Sequence, residues 1–371
     1  MFILQVISGL ILFLFLLFGS HYFLYFSIIR FFSIDNPTHK IIFLSVLFIL
    51  AVSFILSSIV AHWRDNVFTR AFYFISSFWQ GLMVNLFMAL ALTWLLVWLA
   101  RVINLDISSA ILVIIFFSLA IVSTGFGYFN AMHPIIKNIT VTIPNLPEIW
   151  QGKKIVQLSD VHLGHIYRED FMQSVVDKVN NIKSEMVVIT GDLLDGMDGD
   201  IFLPIQPLNN LETKKGVFFI TGNHETYLGV EKIFSVLEKN KIRILKDEVI
   251  DIDGLKLIGM SYPIKGKNKD IIERLNLLKD EYVNQPNILL YHEPKKIREV
   301  SQTGVNLQLS GHTHLGQMFP LNLVTKLIYK GYDYGLHEIG DYTLYTTNGV
   351  GTWGPTIRTG NKPEIVVITL K

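Results

Sequence analysis

The stretch LQLSGHTHLGQ, residues 307–317, joins a strand pattern to two histidines. Val305, Leu307 and Leu309 alternate with polar residues, which is the pattern of a half-buried β-strand. The predicted strand ends at Gly311, and two histidines separated by one residue follow it. An apolar run that ends in polar side chains recurs four more times in the chain.

The four other segments each join a short apolar run to potential metal ligands. They are KKIVQLSDVH, EMVVITGD, GVFFITGNHE and the run that ends in YHEP, with helical patterns between several of them and a further helix predicted near 268–280. Strands that alternate with helices predict an α/β domain, in which the carboxyl ends of the strands share one edge. We therefore expect the following side chains to meet: Asp160, His162, Asp192, Asn223, His224, His292, His312 and His314.

Carboxylate oxygens and imidazole nitrogens are ligands that suit divalent transition metals. The 371 residues include no cysteine, which excludes disulfides and thiolate metal sites. One such segment alone would carry little weight, because a strand-end aspartate is commonly a turn former or a helix cap. Five segments in the same position relative to an apolar strand predict a metal site.

Residues 1–136 are predicted to form a membrane region, and residues 137–371 a separate domain. The first part has eight charged side chains, whereas the second holds 27 basic and 28 acidic ones. A membrane-spanning helix needs about 20 mostly apolar residues. Four stretches meet that length: about 3–29, 41–63, 72–100 and 107–129. The first of them could instead be a signal peptide, but it lacks a basic start and a small-residue cleavage site.

The charge pattern predicts a multi-pass protein of the cell membrane. Four spans put the N-terminus and the second domain on one side, and the positive-inside rule favours the cytoplasm for that side. The basic residues compared are Arg64, Arg70 and Lys137 with this domain, against Arg30, Lys40 and Arg101 on the other side. The near-neutral second domain predicts no nucleic-acid partner, and nothing in the sequence indicates a protein partner.

The order of these motifs resembles the calcineurin-like metallophosphoesterase superfamily. The resemblance covers about residues 138–371 and rests on QLSDVHLG, TGDLLDG, GNHE, YHEP and SGHTHLGQ, which look most like a bacterial phosphodiesterase branch with membrane-associated members. Leu315 departs from the family pattern, since a second glycine is common at that position. The resemblance implies an α/β fold of two mixed β-sheets packed face to face, with helices outside.

The resemblance also implies a site for two divalent metal ions, with manganese, iron or zinc all acceptable to the ligand set. His224 would lie beside the substrate phosphate as a charge stabiliser or general acid. Seven residues match the metal-binding positions: Asp160, His162 and His314 for the first ion, Asn223, His292 and His312 for the second, and Asp192 for both.

Four other residues are candidates for supporting roles. Arg358 could bind a substrate phosphate, because a guanidinium suits that geometry. His165 could contact the substrate, or be a solvated loop residue. Asp195 could support a histidine ligand, or be an exposed loop aspartate. Glu225 is predicted to cap the following helix.

These features predict a membrane-anchored, metal-dependent phosphoesterase. Two bridged cations can generate hydroxide from water near neutral pH, and the hydroxide would attack phosphorus. The resemblance favours a phosphodiester or pyrophosphate bond over a phosphomonoester. The membrane anchor suggests a lipid-linked substrate, such as a nucleotide-sugar lipid.

Two other functions stay open. The membrane part could be a transporter or signalling module, with the metal domain as a non-catalytic regulator. A complete ligand set and the absence of paired intramembrane charges argue against that function. A nuclease or protein phosphatase would share the site chemistry, although the lack of a basic groove argues against a nuclease.

Overall fold

The computed structural model describes residues 2–197, 199, 201–264 and 270–371, with side chains from residue 7 onward. The chain divides into two compact units. The first comprises the residues up to Phe129 together with Gly354–Ile357, and the second comprises Asn130–Trp353 together with Arg358–Lys371. The domain boundary predicted between residues 136 and 137 stays a prediction.

Four long apolar helices dominate the first unit, as the sequence predicts. They are α1 (Phe2–Phe31), α2 (Pro37–Trp63), α3 (Val67–Val102) and α4 (Ser109–Met132), and each is long and apolar enough to cross a membrane. Asn36 begins α2 by accepting a hydrogen bond from the N–H of Thr38 at 2.9 Å, with Pro37 in the first helical turn. Asn66 begins α3 with a capping box.

Polar side chains inside the helical unit bind one another. Trp79 donates a 2.9 Å hydrogen bond to His21 from α3 to α1, and Trp94 donates a 2.8 Å bond to Ser27 between the same helices. In an apolar environment an unsatisfied polar group is costly, so such pairs fix the register of neighbouring helices.

The second unit contains twelve strands and eight further α-helices among the residues that the structure describes. The strands are β1 (Ile135–Val141), β2 (Lys154–Leu158), β3 (Met186–Ile189), β4 (Val217–Phe219), β5 (Ile242–Ile244), β6 (Glu248–Ile252), β7 (Leu255–Gly259), β8 (Asn287–Leu290), β9 (Leu307–Ser310), β10 (Gly335–Ile339), β11 (Tyr342–Thr346) and β12 (Glu364–Leu370). The helices are α5 (Glu169–Ile182), α6 (Phe202–Ile205), α7 (Asn223–Leu228), α8 (Val230–Leu237), α9 (Ile271–Leu277), α10 (Lys279–Tyr282), α11 (Ile297–Val300) and α12 (Leu321–Ile328).

The strands form two mixed six-stranded sheets, which confirms the predicted fold class. The first sheet has the order β1-β12-β2-β3-β4-β5, with only the β12–β2 pair antiparallel. The second has the order β10-β11-β9-β8-β7-β6, with antiparallel pairs at its two edges and parallel strands between them. Parallel strands β2, β3 and β4 of one sheet, and β8 and β9 of the other, therefore lie centrally.

The two sheets bury a common core. Ile155 and Val188 of the first sheet belong to one apolar cluster with Leu257 and Leu309 of the second. Successive side chains of a strand point to opposite faces, so the next residue along β2, Val156, packs into a separate cluster with residues of α5. The outer face of each sheet is thus covered by helices.

One predicted strand is divided between the two sheets. Residues 242–252 are predicted to form a single strand, but the structure contains β5 in the first sheet and β6 in the second. Asp247 lies between them at a φ of 57°, where the chain turns from one sheet to the other. The helix predicted near 268–280 corresponds to α9 and α10, and residues 268–269 lie outside the described residues.

Candidate metal centre

All eight predicted site residues lie just after the carboxyl ends of central strands. Asp160 and His162 follow β2, Asp192 follows β3, and Asn223 and His224 begin α7 after β4. From the second sheet, His292 follows β8, while His312 and His314 follow β9. Because these strands are neighbours within their sheets, their loops converge at one end of the sandwich.

The first cluster of side chains consists of Asp160, His162 and His314, and all three are buried. The Nε2 atoms of the two histidines are 3.0 Å apart, and Nε2 of His314 lies 3.4 Å from Oδ1 of Asp160. Ser159 donates a hydrogen bond of 2.5 Å to Oδ2 of Asp160. The other oxygen of Asp160 is thereby directed toward the imidazole nitrogens.

The second cluster consists of Asn223, His292 and His312 with Asp192. Nε2 of His292 lies 3.2 Å from Oδ1 of Asn223, 3.2 Å from Nδ1 of His312 and 3.1 Å from Oδ2 of Asp192. Four side chains from four different loops therefore place an oxygen or a nitrogen around one point.

Asp192 lies within reach of both clusters. Asp192, His292 and His312 form one group whose ligand atoms lie within 4.8 Å of one another. Asp192, His162 and His224 form a second group that meets the same limit. Nε2 of His224 is 4.0 Å from Oδ2 of Asp192. This is the position that a carboxylate shared by two metal ions would need.

Polar contacts on the outer side of the rings indicate which nitrogen faces the second cluster. Nδ1–H of His292 donates to the carbonyl oxygen of Thr190 at 2.8 Å, and Nε2 of His312 faces Oε1 of Glu293 at 3.5 Å. In the neutral rings, Nε2 of His292 and Nδ1 of His312 therefore carry lone pairs toward each other. With both rings neutral, these two nitrogens and the oxygens of Asp192 and Asn223 are four converging acceptors, which fits a bound cation.

The pKa values of His292 and Asp192 also indicate that positive charge stabilises the second cluster. Burial lowers the pKa of His292, but the charge and hydrogen bond of Asp192 outweigh this effect and raise it to about 10. Burial also raises the pKa of Asp192, yet His292 more than offsets this and holds it well below the usual range. A proton on His292 thus balances the buried carboxylate, a role that a divalent cation with neutral His292 can take over.

The other histidines of the site are held in the neutral form that binds metals. Burial, followed by the positive charge of His224, lowers the pKa of His162 well below its usual value. Burial does the same for His314, and a proton on His162 would lower the pKa of His314 further. Burial and the charge of His292 lower the pKa of His312 to about 4.

The backbone at the site is unusual, because five of the seven predicted ligands have positive φ angles. Non-glycine residues adopt this left-handed region rarely and at a cost, and such residues cluster at functional sites. The φ angles are 51° for Asp160, 53° for His162, 51° for Asp192, 74° for His312 and 49° for His314. Gly311 allows the loops to approach, since a Cβ there would lie 2.0 Å from Oγ of Ser159.

Comparison with known proteins identifies the family. A family model described as calcineurin-like phosphoesterase matches residues 153–316, the segment that holds all eight site residues. A metallophosphoesterase of Aquifex aeolicus is 31% identical over 259 residues, which cover 68% of this chain and 98% of that protein. This chain belongs to the calcineurin-like metallophosphoesterase family.

Other metallophosphoesterases match part of their length. One from Campylobacter jejuni is 35% identical over 64% of this chain and 63% of its own length. A transmembrane protein with a metallophosphoesterase domain from Danio rerio is 32% identical over 66% of this chain and 60% of that protein. The chain thus spans less than two thirds of these two relatives. A dimetal phosphatase from Danio rerio is a solved structure with 12% identity and a TM-score of 0.36 over 54% of this chain and 88% of that one, which is too weak a similarity to support an argument.

Metallophosphoesterases of this family bind two divalent metal ions, and the two clusters around Asp192 supply suitable ligand atoms for both. Leu315, the departure from the family pattern, has φ 47° and ψ 36°. A glycine adopts this left-handed conformation without cost. The N–H of Leu315 is bound by Oγ1 of Thr313 at 3.2 Å, so the turn keeps this shape with a leucine.

The predicted substrate contact of Arg358 needs correction. Its side chain is fully buried, so its guanidinium has no exposed surface for a phosphate. One terminal nitrogen donates to the carbonyl oxygens of Asn348 and Gly351 and lies 3.1 Å from Nδ1 of His314, and the other donates to the carbonyl oxygen of His314 at 3.3 Å. Arg358 therefore holds the loop and ring of His314 in position.

His165 and Asp195 lie on the loops next to His224. The side chain of His165 is buried rather than solvated, and its backbone N–H donates to Oδ2 of Asp195 at 3.4 Å. The carbonyl oxygen of Asp195 accepts a 2.5 Å hydrogen bond from Nδ1–H of His224, so Nε2 of His224 faces the site. Asp195 thus orients a histidine through its backbone, while substrate contact by His165 stays a prediction.

Glu225 does more than the helix capping that the sequence predicts. It does accept the N–H of Gly222 at 2.7 Å, as a capping residue would. The same buried carboxylate also accepts the N–H groups of Asp192 at 2.9 Å and Leu194 at 3.2 Å. The acidic residue in GNHE therefore joins the loop after β3 to the loop after β4.

No motif in the sequence marks Trp353, although it lies beside the catalytic candidate His224. Its ring centroid is 6.3 Å from that of His224, and Tyr227 lies 5.2 Å from His224 on another side. Both aromatic residues are largely exposed. Gln317 holds the backbone of Trp353 by donating to its carbonyl oxygen and accepting from its N–H.

Proposed function

We propose that this chain is a membrane-anchored phosphoesterase that binds two divalent metal ions and hydrolyses a phosphodiester or pyrophosphate bond. The observation that carries the proposal is the convergence of seven acceptor side chains in two clusters, with Asp192 within reach of both. A site of this kind needs no protein nucleophile, in agreement with a chain that has no cysteine.

Bound metal ions would polarise the phosphate and the attacking water and offset the charge that develops in the transition state. The role of the chain is to keep its ligands fixed. Thr190 and Asp195 determine which nitrogens of His292 and His224 face the site, and Arg358 supports His314. Groups that are already oriented before the reaction need no rearrangement during it.

His224 is the proposed catalytic residue. Its Nδ1–H is bound to the carbonyl oxygen of Asp195, so in the neutral ring Nε2 has a lone pair directed into the site. Burial lowers the pKa of His224, and the charge of Asp192 partly opposes this effect. Nε2 can therefore take up a proton next to an anionic substrate and return it to the leaving oxygen.

The proposed substrate is lipid-linked. Four helices of the chain are long and apolar enough to cross a membrane, which would keep the domain near lipid substrates. Tyr227 and Trp353 offer exposed aromatic faces next to His224. Such faces suit the base of a nucleotide or the apolar part of a lipid headgroup.

We also propose that all four helices cross the membrane, with the metal domain on the cytoplasmic side. This topology can be tested with reporter fusions, using alkaline phosphatase and green fluorescent protein after Trp63, Val102 and Lys371. Fluorescence with fusions to Trp63 and Lys371, and phosphatase activity with the fusion to Val102, would support it. The reverse pattern would place the domain outside.

The activity is tested with the full chain purified in mild detergent and stripped of metals. Hydrolysis of bis-p-nitrophenyl phosphate and p-nitrophenyl phosphate is followed as manganese, iron or zinc is added back. The proposal predicts metal-dependent cleavage of the diester that is lost in Asn223→Ala and in Asp192→Asn. Asp341→Asn, at an exposed turn, is the matched control and should be fully active.

Three outcomes have different meanings. Cleavage of the monoester alone would keep the site but overturn the diester assignment. Stoichiometric metal binding without cleavage of either ester or of lipid-linked pyrophosphates would support the non-catalytic regulatory function. Much faster cleavage of soluble nucleotides than of any lipid substrate would contradict the lipid-linked substrate.

A further inference from the structure

Helix α12 (Leu321–Ile328) exposes its apolar residues, whereas an ordinary surface helix buries them. Leu323, Val324, Leu327 and Ile328 are 52%, 49%, 79% and 64% exposed, and the helix contains no buried residue. Surface helices of soluble domains normally turn their apolar residues toward the core. The apolar side of α12 therefore faces away from its own domain.

The polar side of α12 is the side that packs on the domain. Oγ1 of Thr325 donates to Oδ2 of the buried Asp333 at 3.1 Å, and Asn322 is half-buried. Asp333 also accepts a hydrogen bond from Thr313 of the site loop through its carbonyl oxygen, at 2.6 Å. These bonds fix the rotation of the helix, so the apolar exposure is built into the fold.

A basic cavity of about 590 Å³ lies at the end of this helix. Ile328, Tyr329 and Lys330 line it together with residues from the loop before α11 and from α11 itself. The basic residues that line it are Lys295, Lys296, Arg298 and Lys330, against one acidic residue, Glu299. Lys295 and Lys296 form ion pairs with Glu293 and Asp270, respectively, whereas Arg298 and Lys330 have no ion-pair partner among the described residues.

Apolar side chains beside an excess of positive charge are complementary to the surface of a bilayer that contains anionic lipids. An interfacial helix inserts its apolar face at the boundary of a bilayer, and neighbouring basic residues attract anionic lipid headgroups. A helix with exposed apolar residues alone would suit another protein equally well. The adjoining basic cavity, and the four apolar helices carried by the same chain, favour a bilayer as the occupant.

We propose that α12 and this basic cavity form a lipid-docking surface, in which the apolar side of α12 enters the membrane interface and the cavity takes an anionic phospholipid headgroup. Docking would bring the metal centre to the lipid surface, because α12 begins directly after the loop that carries His312 and His314. A Cβ on Gly316 of that loop would lie 2.5 Å from the backbone of Asn322.

The other end of the helix is also linked to the site. Tyr329, which follows α12, donates a 3.3 Å hydrogen bond to Oε1 of Glu293, and Glu293 faces Nε2 of His312 at 3.5 Å. A headgroup in the cavity would therefore lie close to groups that orient one metal ligand. The docking surface rests on the proposed membrane anchoring but not on the proposed hydrolysis, since its test measures lipid contact.

The absence of cysteine permits single-cysteine labelling of the full chain. Leu327→Cys would carry an environment-sensitive fluorophore on α12, and Leu277→Cys on α9 is the matched control, with the same residue type at 80% exposure. Both proteins are placed in nanodiscs that contain lipid with a spin-label quencher near the headgroup. We expect strong quenching at position 327, little at position 277, and more quenching at 327 when phosphatidylglycerol is added to phosphatidylcholine.

The same label tests the basic cavity. Arg298→Glu with Lys330→Glu, on the Leu327→Cys background, should abolish the increase that phosphatidylglycerol causes, whereas the exposed control Lys239→Glu should not. Equal quenching at positions 327 and 277 would overturn the docking surface. A label at 327 that is shielded from aqueous iodide without being quenched by lipid would overturn it as well, because protein would then cover the helix.

Discussion

The carboxylate of Glu225 accepts a hydrogen bond of 2.9 Å from the backbone N–H of Asp192. Glu225→Ala removes this acceptor and leaves three buried N–H groups unsatisfied, those of Asp192, Leu194 and Gly222. We expect the free energy of unfolding to fall by about 3 kcal/mol or more, since each unsatisfied buried donor costs about 1–3 kcal/mol. Denaturant unfolding in detergent measures the change. Glu231→Ala, at an exposed position of α8, should stay within about 0.5 kcal/mol of the wild type.

The pH dependence of stability gives a second test of Glu225. Burial, and then the charge of Asp192, raise its pKa to about 7. An acid whose pKa is raised on folding loses its stabilising contribution as the pH rises through that value. The metal-free wild type should therefore lose stability relative to Glu225→Gln between about pH 4.5 and 7, by at most about 3 kcal/mol. Bound metal should weaken the trend by offsetting the charge of Asp192, and a difference that does not vary with pH would contradict this account.

Metal binding should stabilise the chain, and each of the two clusters should bind one ion. A ligand at a hundredfold excess over its Kd stabilises by about 2.7 kcal/mol, so added manganese should raise the unfolding temperature of the stripped protein. Metal content measured by mass spectrometry should fall from about two ions per chain to about one in His162→Ala and in His312→Ala. Asp192→Asn should lower the occupancy of both positions. If only one of the two histidine variants changed the metal content, the assignment to two clusters would be wrong.

Arg358 should act through His314 rather than on the substrate. Arg358→Lys keeps a charge but loses the planar fork that reaches three carbonyl groups and the ring of His314. We expect lower metal content and a lower kcat with an unchanged KM for bis-p-nitrophenyl phosphate. Arg243→Lys, an exposed control, should change none of these values. A raised KM with full metal content would instead restore the original prediction of a phosphate contact.

His224 should be needed for turnover but not for metal binding. General acid–base catalysis typically contributes about 10²–10⁴-fold, so His224→Ala should lower kcat by that factor. Its metal content should equal that of the wild type. His337→Ala, on the edge strand β10 of the second sheet, is the matched control and should keep full activity. Loss of metal in His224→Ala would show that the residue is a ligand instead.

The strand ends could be predicted from the sequence because their signal is local. An apolar run that is followed within a few residues by Asp160, Asp192 or His292 indicates both a strand and the residue at which that strand ends. Parallel pairing then brings these ends together whatever the loops between them do. This is why the family, the two mixed sheets and the positions of the site residues follow from short motifs.

Contacts between distant loops could not be predicted in this way. Glu225 reaches residues 31 and 33 positions away, and Arg358 reaches His314 across 44 residues. A capping glutamate and a loop arginine look the same in the sequence whether or not such contacts form. The sequence over 242–252 likewise does not show that β5 and β6, on either side of the turn at Asp247, belong to different sheets.

The two sheets share the metal centre unequally. The first supplies Asp160, His162, Asp192 and Asn223, and the second supplies His292, His312 and His314. Each cluster therefore takes ligands from both sheets, and neither can form on one sheet alone. Any opening of the sandwich at this end would separate both ligand sets at once. Bound metal would therefore hold the two sheets together at this end. The loops after β2 and β9 would then exchange their amide hydrogens more slowly with metal than without it.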